Sequence, residues 1–131
     1  MLTLPFKASV VIISLIGSSS LVQAEAVPKQ SSDFKANYNL AINDSKAKPE
    51  TALCSATAHD LTKNKKYKYD RFGFTQADYD AAQLNRNNGN VTVRLSGEAR
   101  QRNGSAAWDA ITVDCSVSKN KVRSVSVTVK K

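Results

Sequence analysis

Cysteine, histidine and tryptophan are scarce in this chain: among 131 residues there are two, one and one. Two cysteines and a single histidine, His59, cannot supply a four-ligand zinc set, and Cys54 and Cys115 lie too far apart in sequence for a C-x-x-C redox pair. No glycine-rich phosphate loop, no nucleophile elbow, no internal repeat and no coiled-coil heptad is present. No metal or cofactor is therefore expected. Beyond the first two dozen residues no apolar run approaches the ~20 residues that a membrane-spanning helix needs.

The N-terminus does carry an apolar run, a short one. Lys7 precedes the stretch Ala8 to Ile16, followed by Gly17, three serines and Val22-Gln23-Ala24. Charge, short apolar core and small-residue exit are the order of a secretory signal peptide, so residues 1–24 are expected to be a cleaved leader. A buried N-terminal helix of a cytosolic protein fits that order poorly. Glu25 and Ala26 stand where a lipid-anchored protein would carry cysteine. The expected product is exported, periplasmic or secreted, with the bacterial periplasm favoured.

Removal of the leader leaves 107 residues, enough for one domain with a modest core. The formal net charge is +8, and loss of Lys7 brings it to +7. That excess favours an acidic partner but carries no information about fold. In an oxidising compartment Cys54 and Cys115 have each other as intramolecular partner. Closing a loop of about 60 residues stabilises by ~4 kcal/mol on the chain-entropy account.

Residues 25–48 form a polar N-terminal segment, expected to be partly flexible, with a leader from Glu25 to Asp33. Between Asp33 and Asp44, Phe34, Tyr38, Ala41 and Ile42 share one helical face, although Tyr38, Leu40 and Ile42 also alternate as in a strand; a short helix is expected. The single α+β domain is assigned to 49–131. Pro49 suits the first turn of a helix to about Lys63, on which Cys54, Ala58 and Leu61 share a face. The segment from Lys65 reads as a strand or an extended connector. Thr75 and Asp78 have capping-box spacing, and Ala77, Ala81 and Leu84 predict a second helix to Asn85, followed by a turn in Asn85 to Asn90.

The C-terminal third alternates: Val91, Val93 and Leu95, then Ile111, Val113, Cys115 and Val117, then Val125, Val127 and Val129. Turns at Asn103-Gly104 and Lys119-Asn120 separate these runs. The expected fold is α+β, with one or two helices on a small antiparallel β-meander and the helix tied to the sheet by Cys54–Cys115. This layout is similar to that of many small exported domains, cystatin-like ones among them, a likeness of shape that implies no function.

Chemistry-bearing constellations are few. His59 and Asp60 are neighbours on a helix and point about 100° apart, so His59 reads as a surface residue. Asp78 and Asp80 diverge, and Asp109 and Asp114 take opposite faces of one strand. A binding surface has two candidates. Lys63, Lys65, Lys66, Lys68 and Arg71 interleave with Tyr67, Tyr69 and Phe72; as a strand, this puts Lys66 and Lys68 on one side and Tyr67 and Tyr69 on the core side. That separation argues against nucleic acid, where rings and cations share a groove. It leaves an electropositive patch for an acidic protein, an anionic glycan or a lipid headgroup, or a solvated edge strand. The second candidate is the open sheet face, where Arg94, Arg100 and Arg102 share parity if no bulge intervenes at Gly97. Trp108 lies opposite in parity to Ile111 and is expected there as an anchor or a cover over the sheet edge. Asn43, Asn90 and Asn103 begin sequons that matter only in a eukaryotic source.

The function expected from these features is a non-enzymatic, exported binding domain, inhibitor-like in one form, for an acidic protein or an anionic envelope polymer. The alternative is a small hydrolase acting on an envelope glycan through unrecognised carboxylates.

Overall fold

The computed structural model describes residues 24–130. Of the expected leader only Ala24 is among them. In chain order the elements are β1 (Ala24–Glu25), α1 (Phe34–Asn43), α2 (Pro49–Leu61), β2 (Tyr69–Gly73), α3 (Gln76–Asp80), β3 (Gln83–Asn87), β4 (Asn90–Gln101), β5 (Trp108–Ser118) and β6 (Lys121–Val129). The fold is α+β, and Cys54 on α2 is bonded to Cys115 on β5 with their Cα atoms 5.8 Å apart.

All strand pairings are antiparallel, in the order β1-β6-β5-β4-β2. The twelve-residue β4 shares its second edge between two short strands. β3 pairs along Asn90 to Arg94 and β2 along Glu98 to Gln101. The expected meander is therefore the centre of a larger sheet. Its alternation is strict: Val91, Val93, Leu95 and Ala99 of β4 and Ile111, Val113, Cys115 and Val117 of β5 are buried on the helix side. The phase runs through Gly97 without a break.

Gly97 has its own reason. A Cβ there would sit 2.5 Å from Cδ1 of Phe74, so the missing side chain makes room for that ring. Phe74 stacks on Phe72 at 6.0 Å and meets His59 edge-on at 5.6 Å.

The helix expected to run to Asn85 ends at Asp80. Its capping box forms, with Thr75 Oγ1 accepting from the Asp78 amide and the Asp78 carboxylate accepting from the Thr75 amide. Beyond it, Gln83–Asn87 pairs with β4, and Asn88-Gly89 closes the hairpin with positive φ at both residues, a geometry that asparagine and glycine tolerate.

α2 is buried on nearly every side because it lies between α1 and the sheet. Its buried residues are mainly small: Thr51, Ala52, Cys54, Ser55, Ala56, Thr57 and Ala58. Small side chains let both neighbouring layers approach closely. The hydroxyls of Ser55 and Thr57 donate to the carbonyls of Ala52 and Leu53, which makes their burial tolerable.

Residues 25–48, set apart in the sequence as a polar segment, dock on this body. β1 pairs with β6, and α1 packs on α2 through Phe34 and Ala41. The backbone amide and hydroxyl of Ser31 donate to the buried carboxylate of Asp60. The stretch from Glu25 to Asp33 is thus held at both ends.

Candidate functional site

The loop between α2 and β2 carries four of the sequence-derived cations. Lys65, Lys66 and Lys68 are exposed on it, and Lys63 at its start pairs with Asp33 of the N-terminal segment. Only the end of the Lys65–Arg71 segment is a strand. The side-chain separation nevertheless holds, with Tyr67 half-buried and Tyr69 and Phe72 buried. Tyr69 and Phe72 both face inward despite being three apart, because β2 bulges between Tyr69 and Arg71. Burial raises the hydroxyl pKa values of Tyr67 and Tyr69 well above the ordinary tyrosine value, and the Tyr69 hydroxyl donates to Asp109 at 2.8 Å.

Arg102 departs from the expected parity. Arg94 and Arg100 lie on the open sheet face, but Arg102, just past the end of β4, turns its guanidinium into the loop. Its Nε donates to the Tyr67 carbonyl at 2.8 Å, and its Nη2 reaches the carbonyls of Thr62, Tyr69 and Asn64 at 2.7, 3.0 and 3.3 Å. Its backbone amide donates to the Lys68 carbonyl at 2.8 Å. It holds both ends of the lysine loop. Parity describes a side chain within a strand and is silent one residue beyond, so the inward turn of Arg102 was not legible from the alternation.

On the open face, Arg94 pairs with Asp114 at 2.8 Å and Arg100 with Asp70 at 2.7 Å. The Arg100 hydrogen bond holds the Asp70 carboxyl below its ordinary range. Trp108 is 43% exposed, opposite Arg100 in the register, with the guanidinium carbon 5.9 Å from the indole centroid. The indole reaches over to Gly73 of β2, where a Cβ would stand 3.8 Å from its Cζ3. Exposed Arg71 shares this end of the face, since it pairs in register with Arg100.

The two candidate surfaces therefore meet at one corner, where β2 begins, β4 ends and β5 begins. The lysine loop held by Arg102 lies on the helix side of this corner, where its depression is walled by Asp109 and Val129, and Arg71, Arg100 and Trp108 lie on the open face; Arg94 lies farther along the sheet. Among the described residues, Lys65, Lys66, Lys68 and Arg71 make no ion pair, in contrast to Lys63, Arg86, Arg94 and Arg100. A depression of about 550 Å³ is lined by Lys65, Lys66, Lys68, Gln101, Asn103 and Asp109 among others. Lys68 Nζ stands 5.3 Å over the Tyr69 ring. A second depression, about 620 Å³, lies on the open face around Arg94 and Asp114 and is edged by Gln83, Asn85, Thr92, Ser116, Ser124 and Ser126.

The carboxylates considered for acid-base work are engaged elsewhere. Asp109 accepts from Tyr69 and Gln101, Asp114 from Arg94, Asp78 from the Thr75 amide and Asp80 from Gln76. His59 is not the surface residue expected: it is half-buried against Phe74, and desolvation lowers its pKa, partly countered by Asp60.

No protein-family model matches the chain, and neither curated proteins nor solved structures give a significant match. The functional reading therefore rests on the geometry of this corner. Among the described residues no helix is long and apolar enough to cross a membrane. The disulfide is compatible with export.

Proposed function

We propose that this protein is an exported, non-enzymatic binding domain that engages an anionic polymer of the cell envelope through the basic corner. The carrying observation is the grouping of Lys65, Lys66 and Lys68 on one loop held by Arg102, without ion-pair partners among the described residues, at the end of the sheet whose open face carries Arg71 and exposed Trp108. Arg86, by contrast, is paired with Glu50. Neighbouring ammonium groups repel one another, and an anion relieves that repulsion. Trp108 supplies an amphipathic contact at the same corner.

The test is retention of the oxidised protein on immobilised polyphosphate and polyglutamate against uncharged dextran, eluted by a salt gradient. Retention on a polyanion that falls with salt, and falls further in a Lys65→Gln, Lys66→Gln, Lys68→Gln variant, supports the reading. Equal passage through all three columns refutes it. Recovery of an acidic protein instead, from the compartment the chain occupies, would replace the polymer as partner.

A further inference from the structure

Resting on that reading, we propose that Arg102 holds Lys65, Lys66 and Lys68 as a preformed loop for the phosphoryl groups of a phosphate-bearing polymer. Two observations carry this, and both are geometric.

The first is the direction of the loop's backbone. Four carbonyls between Thr62 and Tyr69 point at one guanidinium, and the Lys68 carbonyl accepts from the Arg102 amide. Within the loop, Asn64 accepts from the Lys66 amide through its side chain and from the Tyr67 amide through its carbonyl. With the carbonyls gathered inward, the three lysine side chains are left outward around one depression. A fixed loop spares the bound state the ordering cost that a mobile lysine tract would meet. Arg102 is a positioning residue: it acts through the loop, and its Nε–Nη2 edge is already occupied.

The second is the kind of cation presented. The planar fork of arginine matches carboxylate and phosphate alike, and the arginine at this depression has that edge turned to carbonyls, so the cations it leaves open are lysines. Lysine ammonium groups are compact point charges that donate in several directions, which suits a tetrahedral phosphoryl group with oxygens on all sides. Asp109 on the same depression is held by Tyr69 and Gln101, and its negative charge disfavours anions at that wall. Phosphate oxygens are therefore directed to the lysine rim.

The experiment measures binding of the full, oxidised protein to polyphosphate, to polyglutamate of similar charge, and to vesicles containing phosphatidylglycerol, alongside Arg102→Lys and the triple lysine-to-glutamine variant. Polyphosphate is expected to bind at least about tenfold tighter than polyglutamate and tighter than the vesicles. Arg102→Lys keeps the charge and loses the clamp, and is expected to weaken polyphosphate binding by about tenfold while the slope of log affinity against log salt stays near wild type. The triple variant reduces both affinity and slope. Equal binding of polyglutamate, or preference for vesicles, overturns the phosphate-polymer assignment while polyanion binding stands. Unchanged affinity in Arg102→Lys overturns the clamp. Absence of binding to any polyanion removes the underlying function as well. If Arg102→Lys does not fold, amide NMR of the unaltered protein decides: pyrophosphate must shift the Lys65–Lys68 resonances, and shifts centred on Lys119, Lys121 and Arg123 overturn the site.

Discussion

The ring of Phe74 occupies the space where a side chain of Gly97 would be: a Cβ there would lie 2.5 Å from Cδ1 of Phe74 and 2.8 Å from the Gly73 carbonyl oxygen. Because one of those neighbours is backbone, the clash cannot be relieved by turning the ring alone. Gly97→Ala is expected to destabilise the domain by about 1–3 kcal/mol, as overpacking of a filled core does. Denaturant unfolding followed by far-UV circular dichroism measures it, and an unchanged midpoint would contradict the packing described.

The bond between Cys54 and Cys115 closes a separation of 61 residues and ties the middle layer to the centre of the sheet. Replacing both cysteines by alanine should lower stability by roughly 3–5 kcal/mol, combining lost loop restriction with lost packing. Thermal unfolding of the double variant against the oxidised protein checks this. A drop below about 1 kcal/mol would mean that the denatured chain is already compact.

His59 makes stability depend on pH with a definite sign. Desolvation lowers its pKa in the folded state, so below the unfolded value of about 6.5 the unfolded chain takes up the proton more readily. Stability should therefore be full above about pH 6.5 and decline as the pH falls toward the folded value. Asp60 opposes the shift and Lys63 reinforces it. Glu50, lowered by Arg86, and Asp70, lowered by Arg100, lose their contributions only at more acidic pH, below their ordinary values. Unfolding midpoints at pH 7.5 and 5.5 should differ in the wild type and converge in His59→Phe; a flat wild-type profile would disprove the assignment.

Asp60 is buried and accepts two hydrogen bonds from Ser31. Asp60→Ala should cost about 1–3 kcal/mol, since it leaves the Ser31 donors unpaired. Amide exchange of residues 25–33 should accelerate more than that of β4 or β5. Uniform acceleration would show that Asp60 supports the whole body rather than the N-terminal segment.

Long periodic segments were legible in the sequence, and short or bulged ones were not. The runs of β4, β5 and β6 alternate over enough residues to fix the buried face, and with it the side on which Cys115 meets Cys54. α1 and α2 carry helical spacing, and Pro49 marks the start of the latter. β3 escaped because Gln83–Asn87 contains one apolar residue, Leu84, and is held by backbone pairing to β4. The spacing of Ala81 and Leu84 continued the helical pattern past the point where α3 stops. The bulge at Asp70 hid the shared inward direction of Tyr69 and Phe72. At the candidate corner, exposed Trp108 followed from parity, whereas the lysines stand outward on a loop that precedes the strand. The Arg102 clamp and the seat of His59 against Phe74 did not follow from it, because each depends on a partner brought in from a distant stretch of chain.

α2 acts as a spacer of fixed thickness. Its methyl- and hydroxyl-sized side chains set the gap to α1 on one side and to the sheet on the other. An added carbon on either flank works as a wedge, and the strain reaches the opposite layer because a filled interior has no slack to absorb it. Variation in this protein should therefore collect on its two outer surfaces, while the middle layer keeps its dimensions almost unchanged.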